Sequence, residues 1–296
     1  MQLGTLLPLG DIGGTPAVMR EYAQAAEAAG YDFIEAPDHV VGVNPGGAGA
    51  GERMSAGLYH DPFVLFSYLA GVTPKLGFST GVLILAQRQA TLVAKQAACL
   101  DSLCGGRFRL GVGVGWNEPE FVALNENFHN RGRRSEEQVQ VMQMLWANPF
   151  VAFSGKWHTL EDVGINPRPA SGKVPVWFGG HHERTLERIA KWGDGWMPNA
   201  YPPGQEALDI LATLRKLTEA AGRDPAAIGI EVWTSMGSGS ESDWAKEAQF
   251  WKKAGATHLC LTTTFHRRHH HRLGGQTLGD HVAALKRFQS AVADAL

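Results

Sequence analysis

One arrangement recurs four times in this chain: a helix-like stretch, one or two glycines, then a short β-prone run with almost no loop between. In the first copy Val18, Tyr22, Ala25, Ala26 and Ala29 fall at helical spacing. Thr15 and Pro16 suit the helix start, Gly30 its end, and the β-prone run over 31–36 stops at Pro37. The other copies are residues 100–103, Gly105-Gly106 and 107–114; residues 189–192, Gly193 and the run around Trp196; and residues 250–254, Gly255 and 257–261. Glycine just past a helix accepts a left-handed conformation, so each copy predicts a compact turn from helix into strand. Alternation is therefore the dominant signal.

Further β-prone runs at 3–7, 76–85, 174–178 and 228–233 raise the number of candidate strands to eight, with helices fitting between nearly all of them. Ser135 to Gln138 reads as a capping box opening a helix through Trp146, which Asn148-Pro149 ends. Later helices fit at 205–221, 243–254 and 277–293. Eight βα units match a (β/α)8 TIM barrel, an α/β fold, and a doubly wound open sheet is the alternative. No linker-like segment divides the chain, so residues 1–296 read as one domain with insertions near 41–61 and 149–173. The first, rich in glycine, fits a lid or a plain excursion; the second contains a small hairpin, with 151–153 and 157–160 flanking Ser154-Gly155-Lys156.

Composition narrows the function. With Lys+Arg 27 against Asp+Glu 29, no global basic field exists to hold nucleic acid or an anionic membrane, so any anion site is local. Cys99, Cys104 and Cys260 form no metal-spaced pair, which fits a reduced, cytoplasmic setting. No apolar run approaches the roughly 18 residues of a membrane span.

In a barrel, chemistry gathers where strands run into the following helices. Those junctions hold Asp38-His39 after strand two, residues 113–118 after strand four, 179–182 after strand five and 262–266 after strand eight. Histidine moves protons near neutral pH and a carboxylate can orient it, yet adjacent side chains in extended chain point apart, so Asp38 and His39 each need their own partner. The alternative is a polar strand end with an Asx-type cap. Gly179-Gly180-His181-His182 opens a helix, where free N–H groups and the helix dipole favour a phosphate; a plain tight turn needs the same glycines. Gly111-Val112-Gly113-Val114-Gly115 lacks dinucleotide-fold spacing and fits either close approach of a ligand or packing of a crowded strand. In His266-Arg267-Arg268-His269-His270-His271-Arg272 the histidines lack metal-site spacing. The run fits an exposed basic loop or a partner for the acidic tail of a ligand near Gly179-Gly180.

These pieces, in order and spacing, resemble the bacterial luciferase-like flavin and deazaflavin oxidoreductases along nearly the whole chain. The resemblance rests on Ala28 to Asp32, Leu110 to Trp116, Glu120-Phe121, Val163 to Pro169, Pro175 to Gly180 and Gly193 to Trp196. It implies a TIM-like barrel with coenzyme F420 (8-hydroxy-5-deazaflavin) or FMN across its C-terminal face. The cofactor phosphate would lie near Gly179-Gly180 and the turn at Gly113, Val114 and Gly115. By the same resemblance His39 would meet the ring or the substrate and handle a proton, and Asp38 would hydrogen-bond near the pyrimidine edge. A non-proline cis peptide behind the ring would fall at Gly81-Val82. One departure matters: the family's sugar-phosphate dehydrogenases carry a glutamate directly after the strand-four glycines, where this chain has Trp116. Glu118 and Glu120 are the candidates to replace it, and each also suits the start of the next helix. Trp116 itself offers an apolar wall and one donor, which suits a flat or apolar substrate.

The implied activity is F420-dependent hydride transfer to or from a small organic molecule, with His39, Asp38 and Trp116 as the catalytic set. The first alternative is a two-component monooxygenase that takes reduced FMN from a separate reductase. The second is a noncatalytic flavin-binding or metal-sequestering barrel, supported by His269, His270 and His271. The family's habit implies a homodimer.

Overall fold

The computed structural model describes residues 1–42, 44, 57–266 and 268–296. The lid expected over 41–61 therefore lies, apart from its ends, outside the described residues, as does Arg267. The first half of the chain runs β1 (Gln2–Leu6), α1 (Leu9–Ile12), α2 (Pro16–Ala28), β2 (Phe33–Ala36), α3 (Pro62–Ala70), β3 (Gly77–Thr80), β4 (Leu83–Ile84), α4 (Ala90–Leu103) and β5 (Phe108–Gly113). It continues with α5 (Glu118–Ala123), α6 (Arg131–Ala147), β6 (Val151–Ser154), β7 (Thr159–Val163), β8 (Val176–Gly179), α7 (Glu183–Trp192) and β9 (Gly195–Met197). The last part is α8 (Gln205–Ala220), β10 (Gly229–Ser235), α9 (Glu241–Ala254), β11 (His258–Thr262) and α10 (Leu278–Val292).

Parallel pairing runs β1, β2, β3, β5, β8, β9, β10, β11 and returns to β1, where Gln2 stands opposite His258. The sheet closes on itself, so the barrel holds and the open sheet does not. The run expected as one strand over 76–85 is two pieces: β3 and β4 are separated at Gly81-Val82, whose peptide bond is cis. That bond stands where the family resemblance implied it.

Large and small residues alternate inside the barrel. A Cβ at Gly4 would collide with Phe33, and one at Gly195 or Gly229 with Trp177, so glycines on three strands make room for two aromatic rings. Arg109 lies between those rings, 4.4 Å from Phe33 and 4.5 Å from Trp177, and donates to Glu231 at 2.8 Å. Between the strands and the helices, Phe66, Phe78, Phe108, Trp146, Trp251 and Phe288 fill the outer layer, each almost fully buried.

Two local readings need correction. Gly30, Gly105, Gly106 and Gly255 do adopt positive φ past their helices, but Gly193 has φ −85° and ψ 149°. It is needed for closeness instead, since a Cβ there would lie 3.0 Å from Ile189 Cα and 3.1 Å from Phe178. The helix expected to open at Ser135 begins one turn earlier, because the 3-10 turn Phe128–Asn130, with Asn127 accepting from the His129 N–H, leads straight into α6. Ser135 is thus interior to the helix and donates to the Gly132 carbonyl, while Gln138 donates to the Arg88 carbonyl.

The hairpin in the 149–173 insertion forms as β6 and β7, antiparallel, with Phe153 opposite Leu160. Glu137 of α6 holds its turn by accepting the N–H groups of Lys156, Trp157 and His158 and facing His158 Nδ1 at 2.8 Å. Burial opposes ionisation of this carboxyl, but those four partners outweigh it and hold Glu137 below the usual carboxylate range.

Candidate functional site

The C-terminal ends of β2, β4, β5 and β8 surround a cleft of about 300 Å³. Pro37, Asp38, His39, Gly81, Val82, Ile84, Gly113, Val114, Gly115, Trp116, Gly179 and Gly180 line it. Four separate junctions of the chain therefore meet at one place.

Val82 explains two of the glycines. A Cβ on Gly113 would lie 2.5 Å from Val82 Cγ2, and one on Gly179 would lie 2.9 Å from Val82 Cγ1. Their missing side chains let Val82 lie across the barrel mouth, where with Ile84 it makes an apolar floor. Gly111, by contrast, serves packing: a Cβ there would collide with the Thr80 carbonyl inside the barrel wall.

Asp38 and His39 diverge, each to its own partner. Asp38 is buried and takes a forked ion pair from Arg88, with Nη2 2.8 Å from Oδ1 and Nε 3.3 Å from Oδ2. The backbone N–H of Ile84 also donates to it, at 3.2 Å. Asp38 thus ties the end of β2 to β4 and to the segment leading into α4. His39 Nδ1 lies 3.3 Å from both carboxylate oxygens of Glu120, with the Tyr59 ring edge-on at 4.8 Å and Trp116 at 6.2 Å.

Glu120 is 1% exposed, and it also accepts the Val40 N–H at 3.0 Å. Burial pushes its carboxyl up, but His39, by hydrogen bond and charge, together with Asn117 and Gln87, more than offsets that and leaves it below the usual range. Of the two acids considered as replacements for the missing glutamate, Glu118 is exposed toward His129 and Glu120 reaches the site. With Nδ1 turned to a carboxylate, Nε2 is the His39 nitrogen left for the cleft. Trp116, 56% exposed, stands at the rim.

Through Val114 the cleft adjoins a second one of about 510 Å³, lined by Val114, His129, Asn130, Arg131, Gly132, Arg133, His182, Arg184, Thr185 and Arg188. Arg188 pairs with Glu136 at 2.7 Å, and Arg131 donates to the Gly115 and Phe128 carbonyls while stacking on Phe128. Among the described residues neither Arg133 nor Arg184 pairs with a carboxylate. His182 caps α7, its Nδ1 accepting the Arg184 N–H at 3.2 Å. His181 turns toward Tyr201, and burial, then the nearby Arg268, lowers its pKa.

The histidine-rich run is an exposed basic loop only in part: His266 and Arg268 are exposed, but the run turns inward from His269 on. His270 is almost fully buried, with Nε2 3.2 Å from the Asn199 carbonyl, and burial followed by His269 pushes its pKa down to about 4. Arg272 turns inward to Asp11, and the His271 N–H donates to Ser235. Among the described residues the one set of three side chains spaced to share a metal is Glu35, Glu231 and Cys260 in the barrel interior, where Arg109 already supplies a cation.

Sequence reasoning missed Arg88, Gln87 and the arginines of the second cleft. The cluster Arg131-Gly132-Arg133-Arg134 was a visible signal for the last of these.

A family model described as luciferase-like monooxygenase matches residues 1–291. Pyrimidine monooxygenase RutA of Allorhizobium ampelinum is 31% identical over 209 residues, 65% of this chain and 55% of that one. An F420-dependent hydroxymycolic acid dehydrogenase of Mycobacterium tuberculosis is 28% identical over 234 residues, 78% of this chain and 62% of its own length. Among solved structures, an F420-dependent secondary alcohol dehydrogenase in complex with an F420-acetone adduct superposes with a TM-score of 0.76. It is 20% identical and covers 98% of each chain.

Proposed function

For a chain that belongs to the luciferase-like monooxygenase family, we propose coenzyme F420-dependent hydride transfer to or from a small organic substrate. The observation that carries this reading is the pairing of an apolar-floored cleft holding His39 with a larger arginine-lined cleft beside it. A flat ring system fits the first. The second, where neither Arg133 nor Arg184 pairs with a carboxylate among the described residues, offers more positive charge than a single phosphate needs and suits a phosphate continued by a carboxylate-bearing tail. The F420-dependent relative supports the same reading.

When bound, a deazaflavin supplies a two-electron hydride transfer at one ring carbon. The chain's own part is placement and proton handling. Val82 and Ile84 support one face of the cleft, while Gly115 and Gly180, both at positive φ, line it with bare backbone. Asp38, held by Arg88, fixes the strand end from which His39 projects. Glu120 accepts from His39 Nδ1, so Nε2 is the atom that gives a proton to a carbonyl oxygen being reduced or takes one from an alcohol being oxidised. Trp116 and Tyr59 stand edge-on to that histidine, Trp116 at the rim of the cleft.

Side-by-side fluorescence titration with oxidised F420 and with FMN tests the assignment. Micromolar or tighter binding of F420, weakened by Arg133→Glu and Arg184→Glu, is the expected result. Preferential binding of FMN would overturn it in favour of a reduced-flavin monooxygenase, the activity class in the name of the RutA relative.

A further inference from the structure

Beside His39 lies a chamber of about 340 Å³ that shares no lining residue with the arginine-lined cleft. It shares Pro37 and His39 with the ring cleft, so a molecule in it would face the proton-carrying histidine. Its walls are apolar: Leu6, Leu7 and Leu9 from β1 and the start of α1, Leu58, and the edge-on pair Trp233 and Phe265 with ring centroids 5.2 Å apart. The one donor of Trp233 is already used, since Nε1 donates to Glu35 at 3.1 Å.

The chamber also contains charge, but the charge is cancelled. Asp11 takes Arg272 Nη2 on Oδ1 and faces His281 Nε2 at 3.2 Å on Oδ2, so the two charges balance, while Arg272 Nε is buried without a hydrogen-bond partner among the described residues. A carboxylate entering the chamber would meet a guanidinium whose charge Asp11 already balances, so it would add an uncompensated anion among apolar walls, which is costly.

We propose that this chamber selects an uncharged, predominantly hydrophobic substrate whose reacting oxygen meets His39. Its volume accommodates roughly eleven groups of water size, so medium-length chains or a substituted ring fit. The inference rests on the hydride-transfer reading for its chemistry and stands apart from it for its binding.

Calorimetric titration of the chain with methyl ketones from 2-butanone to 2-undecanone, and with 2-oxo acids of matching length, tests it without cofactor. Ketone affinity is expected to rise about fourfold per added methylene until the chamber fills, then level off. The 2-oxo acids are expected to bind at least tenfold more weakly. Leu58→Asp, at a position 42% exposed and therefore tolerant of the change in the fold, is expected to abolish the dependence on chain length with an unchanged melting temperature. Affinity that does not vary with chain length, tighter binding of the 2-oxo acids, or an unaltered ketone series in Leu58→Asp would each overturn the assignment. Failure of F420 to bind while the ketone series behaves as expected would overturn the cofactor reading alone.

Discussion

Replacing Arg88 by methionine keeps the aliphatic stem and removes the guanidinium, leaving the Asp38 carboxylate, 2% exposed, with the Ile84 N–H as its one hydrogen-bond donor among the described residues. Breaking a buried ion pair from one side costs about 3–5 kcal/mol, because the remaining charge is neither solvated nor paired. Average unfolding entropies per residue, scaled to this chain length, convert that loss to a fall of roughly 5–8 °C in melting temperature. The second Arg88 partner, Asp61, is 35% exposed and contributes about 1 kcal/mol or less. Asp61→Asn is therefore the control, since asparagine also caps α3 through the Phe63 and Val64 N–H groups. Asp38→Asn in the Arg88→Met background removes the stranded charge. The double variant is expected to be more stable than the sum of the single losses by at least about 2 kcal/mol. Urea unfolding followed by tryptophan fluorescence, with calorimetric melting alongside, measures all four forms of the cycle. Single losses under about 1 kcal/mol, or losses that add within about 0.5 kcal/mol, would refute the claim that this pair anchors the end of β2.

Glu120→Gln is expected to lower kcat about 10- to 100-fold with the F420 dissociation constant unchanged, as a charge-assisted hydrogen bond to His39 is lost; an unaltered kcat removes Glu120 from the proton-handling pair. Glu137 ionises below its unfolded value, so its contribution to stability is complete above the unfolded carboxylate pKa and disappears as pH falls through the lower folded value. Urea melts from pH 7 to pH 3 should therefore show the wild type converging on Glu137→Gln at the acid end, and a constant gap between them would contradict this. Gly111→Ala, which drives a Cβ into the Thr80 carbonyl, is expected to cost about 1–3 kcal/mol. Gly10→Ala, in α1 with open space around it, is expected to stabilise by about 0.4–1 kcal/mol, and thermal melts of the two variants check both signs.

The arrangement of the site was partly legible in the residues themselves. Glycine clusters after β5 and β8 and the Asp38-His39 pair after β2 were visible because they depend on local turns and strand ends. Adjacent side chains in extended chain diverge, and the structure shows the divergence, Asp38 to Arg88 and His39 to Glu120. The partners themselves were not legible in the same way, since Arg88 follows Asp38 by 50 positions and Glu120 follows His39 by 81. The histidine-rich run was legible only in part for a related reason: His266 and Arg268 are exposed as its composition suggested, but Asp11, 261 positions before Arg272, draws the end of the run inward.

Alternation of helix, glycine and strand is written in periods of a few residues, and it limited the fold to a (β/α)8 barrel or a doubly wound open sheet. Positive φ after a helix and β-branched or aromatic runs are properties of short segments, so they survive in the sequence alone. What the tertiary structure decided is everything that depends on closing the ring. Pairing β1 with β11 brings the start of the chain beside its end and sets Asp11 against Arg272 and His281. That closure also joins Leu6, Trp233 and Phe265 in one apolar chamber beside His39. Side chains so distant along the chain meet only because the barrel fixes where each strand ends, a geometry that no short stretch of residues encodes.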